Sequence, residues 1–271
     1  MSFNRVRAAC LTSACLLPTL SHAAPFDLVY AFDGPITPAA QEALDTSEAF
    51  LERIVLGYQD GAAIDSLIVD LTVEEVDGLG GTAAFAAPFE DGLVSRGGFV
   101  LPTTGFIVFD GADVDEILDE GSAVDFVVHE TLHAMGFGTL WIENGLSVEG
   151  SGRYTGARGV AAYRSDSGDP DAAFVPVTRG DEGVEGGLDN VGHWPEDWLG
   201  DADDPDSFGE VATPVVDAPT YISNTTLGAL EDLGYRTVLS APAPVPLPAS
   251  VWLLLGGVAA VGAAARRRRA G

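Results

Sequence analysis

The sequence predicts an α+β fold: a small mixed N-terminal sheet, a central helix across it, and a loop-rich helical C-terminal part. Three observations support this prediction. Residues 66–73 and 105–109 are short, β-branched runs with the length and composition of strands. Apolar residues recur at helical spacing in residues 37–58 and 122–135. Residues 141–207 are rich in Gly, Asp and Pro and show little periodicity.

Local patterns predict where the helices begin and end. Pro38 is suited to the first turn of a helix, so the first helix is expected to begin there. Ser122 is the predicted N-cap of the central helix, and Gly136 lies where that helix is expected to stop.

The rest of the domain is predicted from composition. The Gly/Ala-rich residues 78–87 indicate a loop, and residues 113–118 a short helix. Residues 220–235 return to a helical pattern, with a buried face formed by Leu227, Leu230 and Leu233.

The N-terminus has the features of a secretory signal. Arg5 and Arg7 precede the apolar residues 8–20, and Ser21-His22-Ala23 offers a small-x-small cleavage site. We therefore predict a signal peptide at residues 1–23 and an exported protein. An uncleaved membrane anchor is the alternative, which the short apolar run disfavours. Both cysteines lie inside this segment, so the mature domain is expected to lack disulfides.

The C-terminal residues 241–271 are predicted to form a linker, a transmembrane segment and an arginine-rich tail. Residues 249–265 are uncharged and mostly apolar, at the short end of what a membrane span requires. Residues 266–269 are all arginine, which places this end on the cytoplasmic side. A buried core helix is the alternative interpretation, which the adjoining arginines disfavour.

The order Val245-Pro246-Leu247-Pro248-Ala249, apolar segment and arginine cluster resembles the PEP-CTERM sorting signal in its VPLPA form. The resemblance covers only the end of the chain. It implies an exosortase-type sorting machinery as a partner and transient anchoring in the membrane by the C-terminal helix. It also implies a final location in the cell envelope or outside the cell.

The predicted domain, residues 24–240, is strongly acidic. The chain has no lysine, and only 7 of its arginines lie in this domain, against 41 acidic residues. Such a surface repels nucleic acid and anionic membranes, so we predict no nucleic-acid partner. Residues 165–171 and 201–206 form acidic loops that are candidate Ca²⁺ sites. Neither has EF-hand spacing, and a solvated loop is the simpler interpretation.

The motif His129-Glu130-Thr131-Leu132-His133 lies on the predicted central helix. Four-residue spacing places both imidazoles on one helix face, one turn apart, where both can reach one ion. Glu130 points away from direct ligation but can reach a water bound to the metal. Zn²⁺ lowers the pKa of that water towards about 7, and a carboxylate then takes its proton as it attacks a carbonyl. Incidental helix histidines are the alternative.

A hydrolytic zinc site needs a third protein ligand and an open fourth position. Outside the predicted signal peptide, His193 is the one further histidine. We predict it as the third ligand, although an acidic residue would also serve. An exposed loop histidine is the alternative interpretation, since residues 190–194 show no regular pattern.

Around these residues the chain resembles the leishmanolysin-type metallopeptidases within the metzincins. The motif continues to Gly136-Phe137-Gly138, as in the family pattern H-E-x-x-H-x-x-G-F, whereas Thr139 stands where most metzincins carry the third histidine. The leishmanolysin group instead has a long insertion before a segment similar to Gly192-His193-Trp194. The resemblance spans residues 45–237. It implies a zincin-like fold, zinc held by three histidines, and endopeptidase activity with Glu130 as general base.

One position departs from that family. Its methionine-containing turn beneath the metal corresponds to Gly209-Glu210-Val211-Ala212-Thr213, with Ala212 where methionine would stand. Two hypotheses stay open. The first is an exported zinc endopeptidase acting on proteins or peptides, which Glu130 favours because a structural site does not need it. The second is a non-catalytic matrix or surface protein with a structural zinc site, which Ala212 favours.

Overall fold

A computed structural model describes residues 25–32, 34–59, 61–119, 121–178, 192–199, 209–216 and 218–240. The predicted signal peptide and the predicted C-terminal span and tail lie outside the described residues. Within them, no helix has both the length and the apolar character needed to cross a bilayer.

The described residues form an α+β fold, as predicted. The helices are α1 (Pro38–Ile54), α2 (Val114–Asp119), α3 (Ala123–Ala134), α4 (Ala157–Asp166) and α5 (Asn224–Asp232). The strands are β1 (Leu28–Phe32), β2 (Val55–Tyr58), β3 (Leu67–Glu74), β4 (Ala84–Pro88), β5 (Leu93–Arg96), β6 (Phe99–Pro102), β7 (Thr104–Asp110), β8 (Arg153–Tyr154), β9 (Val175–Pro176), β10 (Gly209–Glu210), β11 (Thr220–Tyr221) and β12 (Tyr235–Thr237).

A small mixed sheet lies at the centre of the N-terminal part, in the strand order β1-β3-β7-β4. The first three strands are parallel, and β4 pairs antiparallel with β7 at the edge. On β3, Leu67, Val69 and Leu71 are buried while the residues between them are exposed. Because side chains alternate along a strand, one face of the sheet is covered and the other faces solvent.

Helices α1 and α3 cover the buried face of the sheet. α1 begins where predicted: the Thr37 hydroxyl accepts a hydrogen bond from the Ala40 amide (3.2 Å), and Pro38 occupies the first turn. The Tyr30 and Thr131 hydroxyls, 2.7 Å apart, link β1 to α3. α3 therefore lies across the sheet with a fixed rotation, which decides where its motif residues point.

Three predicted segments differ from the structure because strand pairing overrides local pattern. The Gly/Ala-rich residues 78–87 were expected to be a loop, but β4 begins at Ala84 and pairs with β7. The predicted helix at 37–58 ends at Ile54, and its last four residues form β2. The predicted helix at 220–235 is limited to Asn224–Asp232, and its last residue, Tyr235, begins β12, which pairs antiparallel with β2. Neither strand can be predicted from its own sequence, because each pairs with a strand far away in the chain.

Helix α4 is absent from the prediction, which placed it in an irregular stretch. Its start has no capping side chain of its own. Asp232, at the far end of α5, instead accepts hydrogen bonds from the amides of Arg158 (3.0 Å) and Gly159 (2.9 Å). Asp166, at the end of α4, in turn accepts from the Thr225 amide at the start of α5 (2.9 Å). The two antiparallel helices cap each other, which local sequence does not reveal.

The prediction for the start of α3 was only partly right. Ser122 occupies the N-cap position, but its side chain does not cap the helix. Its hydroxyl donates instead to the Ile117 carbonyl (3.1 Å), which ties α3 to the end of α2. The helix runs from Ala123 to Ala134, followed by Gly136 with a φ of +103°, where the chain was expected to leave the helix.

Candidate metal centre

Helix α3 carries His129, Glu130 and His133 in its buried part, residues 127–134. Their side chains expose only 4%, 4% and 7% of their surface. Buried imidazoles and carboxylates are costly unless each polar atom has a partner. The free-energy cost of burying these three polar side chains must therefore be offset by specific interactions.

The structure brings His193, 60 residues further along the chain, to the same point. Its Nε2 atom lies 2.8 Å from Nε2 of His133 and 3.3 Å from Nε2 of His129. The two helical histidines have their Nε2 atoms 3.2 Å apart. Three imidazole nitrogens from two distant segments thus converge, and they are the one such cluster of potential metal ligands in the described part of the chain.

The outer nitrogens of the two helical histidines settle their tautomers. Nδ1 of His129 is 2.6 Å from the Val211 carbonyl oxygen, and Nδ1 of His133 is 2.9 Å from that of Phe137. A carbonyl only accepts, so each Nδ1 carries the proton and each Nε2 presents a lone pair. Burial lowers the pKa of His129 to about 3 and also lowers that of His133, so both imidazoles are neutral.

The neutral rings of His129 and His133 present lone pairs to each other, 3.2 Å apart, and cannot satisfy each other by hydrogen bonding. A metal ion among the three Nε2 atoms resolves this conflict, because each lone pair then has a cation as its partner. The hydrogen bonds at Nδ1 are those that orient ligating histidines in metal sites. The donor set, its spacing and its protonation therefore fit a bound metal ion.

Glu130 lies beside this cluster without pairing to it. Its Oε2 atom is buried and has no hydrogen-bond partner among the described residues. Burial raises the pKa of the Glu130 carboxyl to about 8. An unpartnered buried carboxylate oxygen is uncommon in folded proteins, and among the described residues only Asp113 Oδ2 shares this feature.

An aromatic cluster supports the segment that carries His193. Trp194 is fully buried, stacks on Trp141 (5.2 Å between ring centroids) and on Trp198 (5.4 Å), and meets Phe137 edge-on. These rings anchor a segment that has no regular secondary structure, and so fix the position of the third histidine.

The turn at residues 209–213 lies directly against the histidines. Ala212 is buried, with 1% of its surface exposed, and the preceding Val211 carbonyl accepts the hydrogen bond from His129. The sequence pointed to this turn but not to Val211, because backbone carbonyls carry no residue-type signal.

The candidate Ca²⁺ loops gain no support. Within the described residues, the acidic side chains of 165–171 do not form a cluster of metal ligands. Asp166 caps α5, and Asp169 accepts from the Asp171 amide (3.0 Å). Residues 201–206 lie outside the described residues.

Comparison with known proteins adds no relative: no family model matches the chain, and neither a curated protein nor a solved structure shows significant similarity to it.

Proposed function

We propose that this protein is an exported zinc-dependent endopeptidase. The observation that carries the proposal is the convergence of three histidine Nε2 atoms, together with an unpartnered buried Oε2 on Glu130, the residue next to His129 on the same helix. Structural metal sites need ligands alone. A buried carboxylate on the same helix turn as two of three converging histidines is the arrangement of metal-assisted hydrolysis.

The nitrogen spacing supports zinc. A tetrahedral ion with zinc–nitrogen bonds of about 2.0–2.1 Å separates two ligands by about 3.3 Å. His129 lies 3.2 Å from His133 and 3.3 Å from His193, measured between Nε2 atoms, while the third separation of 2.8 Å is shorter. Three protein nitrogens leave a fourth position open, as hydrolytic sites require.

Each residue has a distinct task in the proposed reaction. His129, His133 and His193 would hold the metal through Nε2, and the Val211 and Phe137 carbonyls keep the helical imidazoles in the required tautomer. When bound, zinc supplies a Lewis acid that polarises a peptide carbonyl and acidifies water. The positive charge of a bound metal would favour the ionised form of Glu130 despite its raised pKa, and its carboxylate would then take a proton from the attacking water on Oε2 and pass it to the departing amine.

The leishmanolysin-like fold and the route of export belong to the same proposal. The α+β architecture with a mixed sheet beneath the motif helix is compatible with a zincin-like fold. The predicted signal peptide and the VPLPA-type tail support export, recognition by an exosortase-type machinery, and transient anchoring by the C-terminal segment. Protein or peptide substrates would then be met in the cell envelope or outside the cell.

Cleavage of casein and of a peptide library by purified full-length protein tests this function. We expect zinc-loaded wild type to cleave, a chelated sample to be inactive and regain activity with zinc, and Glu130→Gln to bind zinc without cleaving. Glu143→Gln, an exposed glutamate shortly after α3, is the matched control and should retain activity. Zinc-loaded wild type that cleaves nothing, or Glu130→Gln that cleaves like wild type, would overturn the proposal.

A structural zinc site in a non-catalytic matrix or surface protein is the second candidate. The burial of His129, His133 and Glu130 favours it, because a substrate carbonyl needs access to the metal. This candidate predicts that zinc removal lowers the melting temperature while no peptide is cleaved. Glu130→Gln would then be neutral or stabilising, since it removes a buried carboxylate that has no partner.

A further inference from the structure

Glu210 is a buried carboxylate close to the metal centre that the proposed reaction does not use. It ends β10, exposes 1% of its surface, and has no basic partner among the described residues. Neutral donors hold it instead. Its Oε2 accepts from the Ala212 amide (2.6 Å), and its Oε1 accepts from the Ser223 amide (3.0 Å) and the Thr226 hydroxyl (2.6 Å). Such burial is costly, so the carboxylate must serve the surrounding structure.

The hydrogen bond from the Ala212 amide to Glu210 Oε2 orients the backbone group that contacts His129. Between Glu210 and Ala212 stands Val211, whose carbonyl accepts from Nδ1 of His129 at 2.6 Å. The bond from the Ala212 amide to Oε2 folds residues 210–212 into a tight turn. The direction of the Val211 carbonyl, and with it the rotation of the His129 ring, therefore depends on the Glu210 side chain.

The remaining bonds reach the neighbour of His193. The indole Nε1 of Trp194 donates to the Thr226 hydroxyl (2.8 Å), which donates in turn to Glu210 Oε1. The Trp194 amide donates to the Ala212 carbonyl (3.0 Å). Glu210, Ala212, Trp194 and Thr226 thus form a closed ring of hydrogen bonds. This ring joins the turn beneath His129 to the segment that places His193.

We propose that Glu210 is a positioning residue of the metal centre. It fixes the distance between His129 and His193, two ligands from distant parts of the chain, before a metal binds. The Ala212 backbone accepts from the Trp194 amide and donates to the Glu210 carboxylate, so these hydrogen bonds fix the turn. Because this role rests on the metal centre of the proposed function and not on peptide hydrolysis, metal binding tests it without any substrate.

The experiment measures zinc affinity by chelator competition, and the visible absorption spectrum of the Co²⁺-substituted protein, for full-length wild type and Glu210→Gln. Glutamine has nearly the same shape as glutamate, but its side-chain NH2 group cannot accept a hydrogen bond as the second carboxylate oxygen does. We expect a roughly 10–100-fold loss of zinc affinity, as is usual when a group orienting a metal ligand is removed. We also expect a changed Co²⁺ spectrum, because the ligand geometry relaxes.

Glu231→Gln is the matched control. Glu231 is a buried glutamate in α5 whose Oε1 accepts from the Thr237 hydroxyl (2.8 Å) and the Ser240 amide (3.1 Å) and whose Oε2 pairs with Arg158 (2.8 Å), and none of these partners contacts the histidines. The Glu231→Gln variant should have a lower melting temperature without metal, but the zinc affinity and Co²⁺ spectrum of wild type.

A second pair of variants keeps the proposal testable if Glu210→Gln does not fold. Thr226→Val removes the link between Trp194 and Glu210 and should weaken zinc binding, while Thr226→Ser keeps the hydroxyl and should restore it. Wild-type zinc affinity and Co²⁺ spectrum in Glu210→Gln, or in Thr226→Val where Glu210→Gln is unfolded, would overturn the proposal. Wild type that binds zinc without cleaving peptides would refute the peptidase alone.

Discussion

Gly138 and Gly192 lie backbone against backbone, where the turn after α3 meets the segment that carries His193. A Cβ atom on Gly138 would come within 2.8 Å of the Gly192 Cα, and one on Gly192 within 2.7 Å of the Gly138 Cα. Both residues also have positive φ, +76° and +106°. No side chain fits at either position, so this contact sets how closely His193 approaches His133.

Gly192→Ala is therefore expected to weaken zinc binding as well as folding. The added methyl group pushes His193 away from the helical histidines, and chelator competition should show reduced zinc affinity. The control is Gly168→Ala, which also has a positive φ (+69°) but no atom within 4 Å of the new Cβ. That control should cost about 1–2 kcal/mol of stability for its backbone conformation alone and leave zinc affinity intact. Equal zinc affinity in both variants would contradict the proposed role of the contact.

His193→Ala is expected to change stability in opposite directions with and without metal. Wild type should bind one zinc ion per chain and, at free zinc 100-fold above its Kd, gain about 2.7 kcal/mol of stability. The variant should lose most of that gain, because a direct ligand is removed. Its metal-free form should melt at or above the wild-type temperature, because one of three mutually facing imidazoles is gone. Melting curves with zinc and with chelator decide this, and an unchanged zinc-dependent rise in the variant would exclude His193 as a ligand.

Tyr235 and Tyr58 provide a matched test of one buried hydrogen bond. Their rings pack together, 5.3 Å between centroids, and both are almost fully buried. The Tyr235 hydroxyl donates to the Met135 carbonyl at the end of α3 (2.8 Å), whereas the Tyr58 hydroxyl has no hydrogen-bond partner within the described residues.

Tyr235→Phe should lower the free energy of unfolding by about 1–3 kcal/mol, because the Met135 carbonyl loses its donor. Tyr58→Phe should leave it unchanged or raise it, because it removes a buried polar atom that has no compensation. Denaturant unfolding of both variants provides the measurement. A Tyr58→Phe cost as large as that of Tyr235→Phe would contradict this account.

Asp110 is expected to contribute an acid-sensitive part of the stability. Its carboxylate accepts from the amides of Ala112 (3.0 Å), Asp77 (3.0 Å) and Gly78 (2.7 Å), which lowers its pKa to about 2. An unfolded aspartate titrates near pH 3.9. The contribution is therefore fully present above about pH 4 and is lost as the pH falls towards 2.

The measurement is the stability difference between wild type and Asp110→Asn as a function of pH. Wild type should be more stable at neutral pH, and the difference should shrink between pH 4 and pH 2. Asp70→Asn, on the exposed side of β3, controls for the loss of one negative charge. A difference that stays constant down to pH 2 would show that the amide contacts do not favour the ionised carboxylate.

The sequence by itself determined the parts of this protein that depend on local periodicity and residue chemistry. The four-residue spacing of His129 and His133 needs only a helix to place both rings on one face. The start at Pro38 and the stop at Gly136 are also local, since each depends on backbone groups within one helical turn. The α+β class followed from the same patterns.

Only the tertiary structure decided which distant segments meet. Strands β2, β4 and β12 exist because partners elsewhere in the chain pair with them, and α4 begins where Asp232 of α5 caps it. The convergence of His193 with α3 depends on the Gly138–Gly192 contact and on the stacked tryptophans. Glu210 appears in the sequence as one acid among 41, and only its burial and hydrogen bonds separate it from the rest. The physical reason is common to all: these interactions join groups far apart in sequence, whereas periodicity reports only on neighbours within a turn or a strand.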